Sequence, residues 1–505
     1  MLIRKLALAV LMTFLLLVSL GLATAAPGDV REIAIASGAD PVSLDPRKTF
    51  VGPGYSINAH VFEPLVFREE TNGTIKIVGV LAEKWENVNP TTWKFTLRKN
   101  VKFHNGRPLN ARAVQYTIET IMAADFVTSL KQWPKDIVSV TTEGDHVVVM
   151  KTKYPTPGLL SSLCQVPIVE PNAAKEMGND FNIKPVGTGP YKIESYIPNS
   201  HVTVSRFDGY WGKKGTYDKI TFKIMPVNSV RLAALQSGEV VLAEGIPPDK
   251  LDVVNRDPRL YMATSKTMRV VFLNLEMKNK WLSKVEVRQA ISYAIDRQLL
   301  VDALLCGTTV VANSVSPPGT VGYNDKLPPY EYNLGKAKQL LKESGYDGTV
   351  LKFGACAGRY NMDKQVSEAI VGMLRKAGFN IEFEAVDWGT YRPKTIENKY
   401  DIWFLGQTDF TLNPTMHYTG KFDTATSDID YKDPVVDKLL TDSASEMNQE
   451  ARAVIFSRIQ ELLHTSMPTV PLYYEPQLIG VSKSLVGFVP RLDEYVLVGY
   501  TTVKK

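Results

Sequence analysis

In the stretch TWKFTLRKNVKF, Trp93, Phe95 and Leu97 alternate with Lys94, Thr96 and Arg98. That period of two predicts a half-buried strand. His104-Asn105-Gly106-Arg107 follows as a turn, and Asn110 is placed to cap a helix whose apolar face is Val114, Ile118 and Ile121. DHVVVMKT and HVTVSRF read as further strands, and Val186-Gly-Thr-Gly-Pro-Tyr191 as a tight turn entering another. After about residue 268 the period lengthens. Ser283-Lys-Val-Glu286 has the form of a capping box before a helix with Val287, Ala290, Ile291, Ala294 and Ile295 on one face. Asn333 opens another helix, with Ala337, Leu340 and Leu341 inward and Gly345 at its end. Then strand TVLKFGAC, a helix from about Asn361 to Ala377, strand NIEFEAV, a helix from about Tyr391 and strand YDIWFLG alternate. This βαβαβ order predicts a largely parallel sheet with right-handed crossovers.

In open α/β sheets, ligands bind beyond the carboxyl ends of the strands. Three segments hold that position: Ala357-Gly-Arg359-Tyr360, Asp387-Trp388-Gly-Thr-Tyr391 and Gln407-Thr-Asp409. They offer one arginine, carboxylates, aromatics and amides, a mixture suited to a polar or zwitterionic organic solute. Asp409 has two open readings: a turn residue that accepts nearby backbone amides, or an anchor for a ligand ammonium. Arg359 has a salt bridge to Asp363 or Glu384 as its alternative to ligand binding. His417 follows the third loop, and a hydrogen-bonded histidine is the alternative to a ligand contact there.

Composition narrows the class. The 505 residues are 44% hydrophobic and 22% charged, with formal net charge +5. The basic residues are scattered rather than clustered, which argues against a nucleic-acid partner. A basic start (Arg4, Lys5), the apolar run LALAVLMTFLLLVSLGL and the small-x-small site Ala23-Thr-Ala25 read as a signal peptide over 1–26, the alternative being an uncleaved anchor. The mature chain is then expected in the periplasm. Cys164, Cys306 and Cys356 match no metal or redox spacing and read as buried thiols, a Cys306–Cys356 bridge being the alternative. There is no HExxH, GxxxxGK[ST] or GxSxG pattern, and Gly187-Thr-Gly189-Pro lacks the third glycine of a dinucleotide fingerprint. No cofactor is expected, and the chain does not read as an enzyme.

Several segments together resemble one family. LAEKW with TTWKFTLRKNVKFHNGRPLNARAV, VGTGPYKIESY with SRFDGYWG, RLAALQSGEV, VFLNLEMKNKWLSKVEVRQAISYAIDR and PLYYEPQLIGVSKSLVGF are similar, in order, to the family 5 solute-binding proteins of ABC transporters. The resemblance runs from about Ile33 to about Phe488. It implies a two-lobed periplasmic binding protein clamshell, class II-like, with an extra N-terminal subdomain. Lobe I would be 27–267 plus 484–505 with a subdomain inserted at about 71–185, and lobe II 268–483. The chain would cross between lobes near 265–270 and 478–484. The resemblance also implies a monomer that captures short peptides and hands them to membrane permease subunits, with an oligosaccharide or metal chelate as the alternative solute. In the dipeptide binders an arginine in the segment matching Arg359 pairs with the peptide carboxylate. The aspartate slot for the peptide ammonium falls on Phe410 here, one residue beyond Asp409, and the usual tryptophan is Gln407. The implied ligand-binding set is Tyr55, Arg359, Tyr360, Trp388, Tyr391, Trp403, Gln407, Asp409, Phe410 and His417. Gln407, Trp388, Tyr391 and Trp403 would suit sugar stacking and hydrogen bonding, and His417 a chelate.

Overall fold

The computed structural model describes residues 31–41, 43–48, 53–71, 74–409 and 411–504. The expected signal peptide at 1–26 and Phe410 lie outside the described residues. A ten-stranded sheet runs through the protein in the order Ile381–Val386, Leu351–Cys356, Ile402–Thr408, Leu260–Leu275, Thr469–Ser482, Leu242–Glu244, Glu32–Ser37, Lys219–Ile224, His201–Arg206, Tyr191–Ile197. The first two of these strands pair in parallel, as do Leu351–Cys356 and Ile402–Thr408. The helices Asp363–Ala377 and Trp388–Ile396 connect them, which is the expected βαβαβ unit.

The two longest strands, Leu260–Leu275 and Thr469–Ser482, lie antiparallel at the centre. Their ladder is regular to Lys266 opposite Pro476 and resumes at Val270 opposite Tyr474. Between these pairs Thr267, Met268 and Arg269 face only Glu475. Pro476 has no amide to give the ladder, and the mismatch bulges the first strand. On the second strand the break at 474–476 precedes the expected crossing at 478–484. The cores part at the same place. Residues from Val270 to Tyr474 form one hydrophobic cluster. Ile33, Phe222, Ala263, Ile479 and Val496 belong to another.

A third core lies under an antiparallel sheet of Ala82–Asn89, Thr92–Leu97, Val147–Thr152 and Ile137–Thr142. Thr92–Leu97 buries Trp93, Phe95 and Leu97 in alternation, as its period requires. The helix Ala111–Met122 covers this sheet with Val114, Ile118 and Ile121, and Asn110 caps it by accepting the Ala113 amide at 3.1 Å. Asn333 caps Leu334–Glu343 in the same way. The Ser283 capping box does not form. Asn279 accepts the Trp281 and Leu282 amides, Ser283 Oγ turns back to the Lys280 carbonyl, and the helix begins at Val285. Gly187 and Gly189 form a structural turn: a Cβ there would sit 2.2 Å from the Val61 carbonyl oxygen and 2.6 Å from that of His60. All three cysteines are free. Cys164 and Cys356 are buried, whereas Cys306 is exposed, which corrects its reading as a buried thiol. Among the described residues no helix is long and apolar enough to cross a membrane.

Candidate functional site

Beyond Leu351–Cys356 the chain turns through Ala357–Met362, with Gly358 at φ +87°. The Asp363 carboxylate accepts the amides of Gly358, Arg359 and Tyr360 at 2.9, 2.7 and 3.0 Å. This loop is therefore fixed from beneath, and the Arg359 side chain is left exposed. Its guanidinium lies 5.3 Å from the Trp388 ring centroid and 5.8 Å from that of Tyr360, a cation on an aromatic platform. Both suggested salt-bridge partners are engaged elsewhere. Asp363 holds the loop, and Glu384 takes Lys394 Nζ at 2.6 Å and the Tyr400 hydroxyl.

Tyr360 is structural at its tip, where its hydroxyl donates to the Gly406 carbonyl at 3.0 Å. Next to it Arg269 forms a two-oxygen ion pair with Glu494, 3.2 Å to each oxygen. Glu475, opposite the bulge, accepts the Asn361 amide and Nδ2 on one oxygen, both at 2.8 Å. No described protein group bonds its second oxygen, and burial pushes its pKa up to about 7. Tyr55 comes from the other side of the crossing, its ring 5.8 Å from Tyr495. Burial raises its pKa, while Arg269 and Arg359 act to lower it, so both guanidiniums are within electrostatic reach of Tyr55.

Asp409 ends the strand Ile402–Thr408 and is 7% exposed. Its amide donates to the Met268 carbonyl at 3.1 Å, tying the loop to the bulge. Oδ1 accepts the Thr411 amide at 3.1 Å and the Thr411 hydroxyl at 2.7 Å. No described protein group bonds Oδ2. The turn reading therefore holds for Oδ1, and the other half of the carboxylate is uncommitted among the described residues. Burial raises the Asp409 pKa, against the hydrogen bonds from Thr411 and the Asn413 backbone amide and the charge of Arg68.

The loop leads into a cavity of about 290 Å³, with Arg68, Leu160, Gly319, Thr411, Asn413 and Arg452 among its walls. The walls come from both sides of the crossing, which meet closely: a Cβ on Gly158 would lie 1.9 Å from Asn413 Nδ2. Arg452 donates to the Ser443 carbonyl, Asn413 Oδ1 and Thr415 Oγ1, all neutral acceptors. Arg68 is 3% exposed, and no described protein group bonds its Nε, Nη1 or Nη2.

The remaining expected site residues divide. Trp388 is half-buried and stays with Arg359. Gln407 is half-buried in the ladder opposite Val270. Tyr391, Trp403 and His417 are corrected to packing positions. Tyr391 is fully buried and donates its hydroxyl to the Phe404 and Gly354 carbonyls at 2.6 and 3.2 Å. Trp403 is 2% exposed in the same core. His417 lies among Phe272, Tyr418 and Phe422, and burial, with Lys421 nearby, pushes its pKa down to about 3. Sequence reasoning missed Arg68, Arg269, Arg452, Glu475 and Glu494. Only Arg68 had a local signal: it shares the inward register of Val66 on the strand Val66–Thr71.

Residues 76–428 match the bacterial extracellular solute-binding proteins, family 5 middle region. The glutathione-binding protein GsiB of Salmonella choleraesuis is 26% identical over 475 residues, which cover 91% of this chain and 92% of that protein. Among solved structures, the periplasmic binding protein DppA of Helicobacter pylori in complex with the peptide STSA aligns with TM-score 0.80 and 23% identity, over 94% of this chain and 99% of that one. The substrate-binding protein CtaP of Listeria monocytogenes aligns with TM-score 0.85 and 21% identity, over 95% and 100%. The mixed α/β fold expected from the sequence is the fold these structures share.

Proposed function

This chain belongs to the bacterial extracellular solute-binding proteins, family 5, the non-enzymatic solute-capturing components of ABC importers, and we propose that its solute is a short peptide gripped at both ends. The observation that carries this reading is the pair of uncommitted opposite charges on the strand-end loops. Arg359 is exposed on an aromatic platform with its candidate protein partners engaged, and Asp409 Oδ2 has no described partner. A peptide supplies a carboxylate for the first and an ammonium for the second, each as a charge-assisted hydrogen bond. GsiB is named for glutathione, and the Helicobacter DppA structure holds a tetrapeptide, so the likeness supports the same solute class. Of the residues behind the sugar reading, Tyr391 and Trp403 pack in the core while Trp388 and Gln407 stay half-buried; His417, the chelate residue, is buried.

In this reading the lobes are 27–267 with 484–505, carrying the inserted 71–185 subdomain, and 268–483. They hinge where the central ladder breaks, and the closed cleft holds the solute for the membrane permease. Export follows cleavage near Ala25 or Ala26. Calorimetry with one alanine tripeptide in free, N-acetylated and C-amidated forms tests the proposal. The free form is expected to bind, and each blocked form to bind weakly. Equal affinities for all three would exclude recognition of both peptide ends.

A further inference from the structure

Six arginines among the described residues are buried: Arg47, Arg68, Arg231, Arg288, Arg297 and Arg452. Five of them are fully employed. Arg47 pairs with Asp45; Arg231, Arg288 and Arg297 are held chiefly by backbone carbonyls; Arg452 is held by Ser443, Asn413 and Thr415. That is how a protein tolerates a group that cannot shed its charge. Arg68 alone has all three guanidinium nitrogens without a described protein partner. Among the described residues no carboxylate bonds it. Asp493 is bound by both its oxygens to Arg491, and no ion pair joins Arg68 to Asp409 although their charges interact. Arg68 lines the 290 Å³ cavity between the two sides of the crossing.

We propose that Arg68 is an anion anchor of this cavity and that the natural solute carries a second carboxylate besides the one received by Arg359. The assignment rests on the cavity belonging to the solute site proposed above. The charges at the cavity have a clear sum. Arg491 and Asp493 cancel, which leaves Arg68 and Arg452 against Asp409. That is an excess of one positive charge; a solute ammonium at Asp409 would raise it by one, and a carboxylate at Arg68 would bring it back. A carboxylate rather than a phosphate fits, because it brings a single charge and two oxygens to a planar fork of donors. The strand Val66–Thr71 would then read the solute from the opposite side to Arg359.

The test uses the purified full-length mature protein and its Arg68→Gln variant. Glutamine keeps much of the reach and removes an uncompensated buried charge, so folding is not endangered. The probes for calorimetry are the three alanine tripeptides carrying one Glu, their Gln counterparts, and glutathione. At least one Glu form should bind about 30-fold or more tightly than its Gln counterpart. Arg68→Gln should erase that ratio while leaving the Gln forms unchanged. Equal binding of Glu and Gln forms to the wild type overturns the proposal, as does a variant that weakens both forms alike. Thermal unfolding with succinate or inorganic phosphate separates this from the peptide reading. If no peptide binds but succinate stabilises the wild type and not the variant, the peptide reading falls and the anchor stands. No succinate effect in that case, or an Arg68-dependent effect with phosphate alone, overturns the carboxylate assignment.

Discussion

Asp409→Asn separates the two roles of a single carboxylate. Asparagine keeps the Oδ1 acceptor, so the bonds from the Thr411 amide and hydroxyl at 3.1 and 2.7 Å can persist. The substitution removes only the charge and the free acceptor at Oδ2. If a solute ammonium binds there, the variant leaves that ammonium desolvated and unpaired. Truncating one partner of such a pair costs about 2–5 kcal/mol, or roughly 30-fold to several thousand-fold in affinity. Affinity for free peptide should fall by that factor, and the N-acetylated form should lose nothing further. Protons give an independent readout. Burial raises the Asp409 pKa above its ordinary 3.8, and a bound ammonium would lower it again. Between those values, binding expels a proton and affinity rises with pH; above the raised value both effects vanish. Heats measured in buffers of different ionisation enthalpy should therefore diverge inside that window for the wild type and coincide for Asp409→Asn. A silent variant, with heats independent of buffer throughout, would refute the ammonium role and leave Asp409 a turn residue. The same raised pKa penalises the ionised empty protein, so Asp409→Asn should unfold at a higher temperature at neutral pH.

Arg359→Ala should weaken free peptides by a similar factor and C-amidated peptides hardly at all, as read by calorimetry; equal losses would assign the effect to the platform of Trp388 and Tyr360. Glu475 has a folded pKa pushed up to about 7 from 4.5, so the folded protein holds its proton longer than the unfolded chain and stability falls as pH rises through that interval. The full penalty, about 3 kcal/mol, is present above pH 7. Glu475→Gln keeps an acceptor for both Asn361 donors, and denaturant titrations from pH 4 to 8 should lose this slope. Gly158→Ala places a methyl against Asn413 Nδ2, whose amide is held by Arg452 and Thr415, so it should oppose closure. Small-angle scattering should then show the ligand-induced fall in radius of gyration reduced, with thermal stability of the ligand-free protein unchanged.

The features legible in the sequence are those whose physics is local. The alternation of Trp93, Phe95 and Leu97 needs only one covered face, and the Asn110 and Asn333 caps need only an amide three residues on. Half of Asp409 was legible for the same reason, because its turn partner Thr411 is two residues away. Ser283 shows the limit of such reading. Its cap was well spelled, but Asn279 took the competing amides first. Tyr391 and Trp403 looked available because a loop-facing aromatic and a core aromatic have the same letters. What buries Tyr391 is the pair of carbonyls at Gly354 and Phe404, on two different strands. Arg68 was hidden by the opposite problem. Its inward register is local, but its lack of a partner is a property of the whole cavity wall.

Three uncommitted charges lie at the crossing, while Glu244 and Glu276 also keep an unbonded carboxylate oxygen. Arg68, Asp409 and Glu475 each keep unbonded polar atoms, and all three lie at or beside the meeting of the two sides. Buried polar groups are otherwise almost always bonded, because leaving one unpaired costs about 1–3 kcal/mol and more if charged. In an open arrangement water reaches these groups and the penalty disappears; on closure without solute it returns. Closure is thereby disfavoured until a molecule arrives that satisfies the exposed charges. Moving a two-state equilibrium from 1:99 to 99:1 takes about 5.5 kcal/mol of differential binding. Losing one partner of a buried charge pair costs about 2–5 kcal/mol, so one anchor falls short of that figure and two of opposite sign, at about 4–10 kcal/mol, span it. A solute offering only one of the two charges would occupy the cleft without holding it shut.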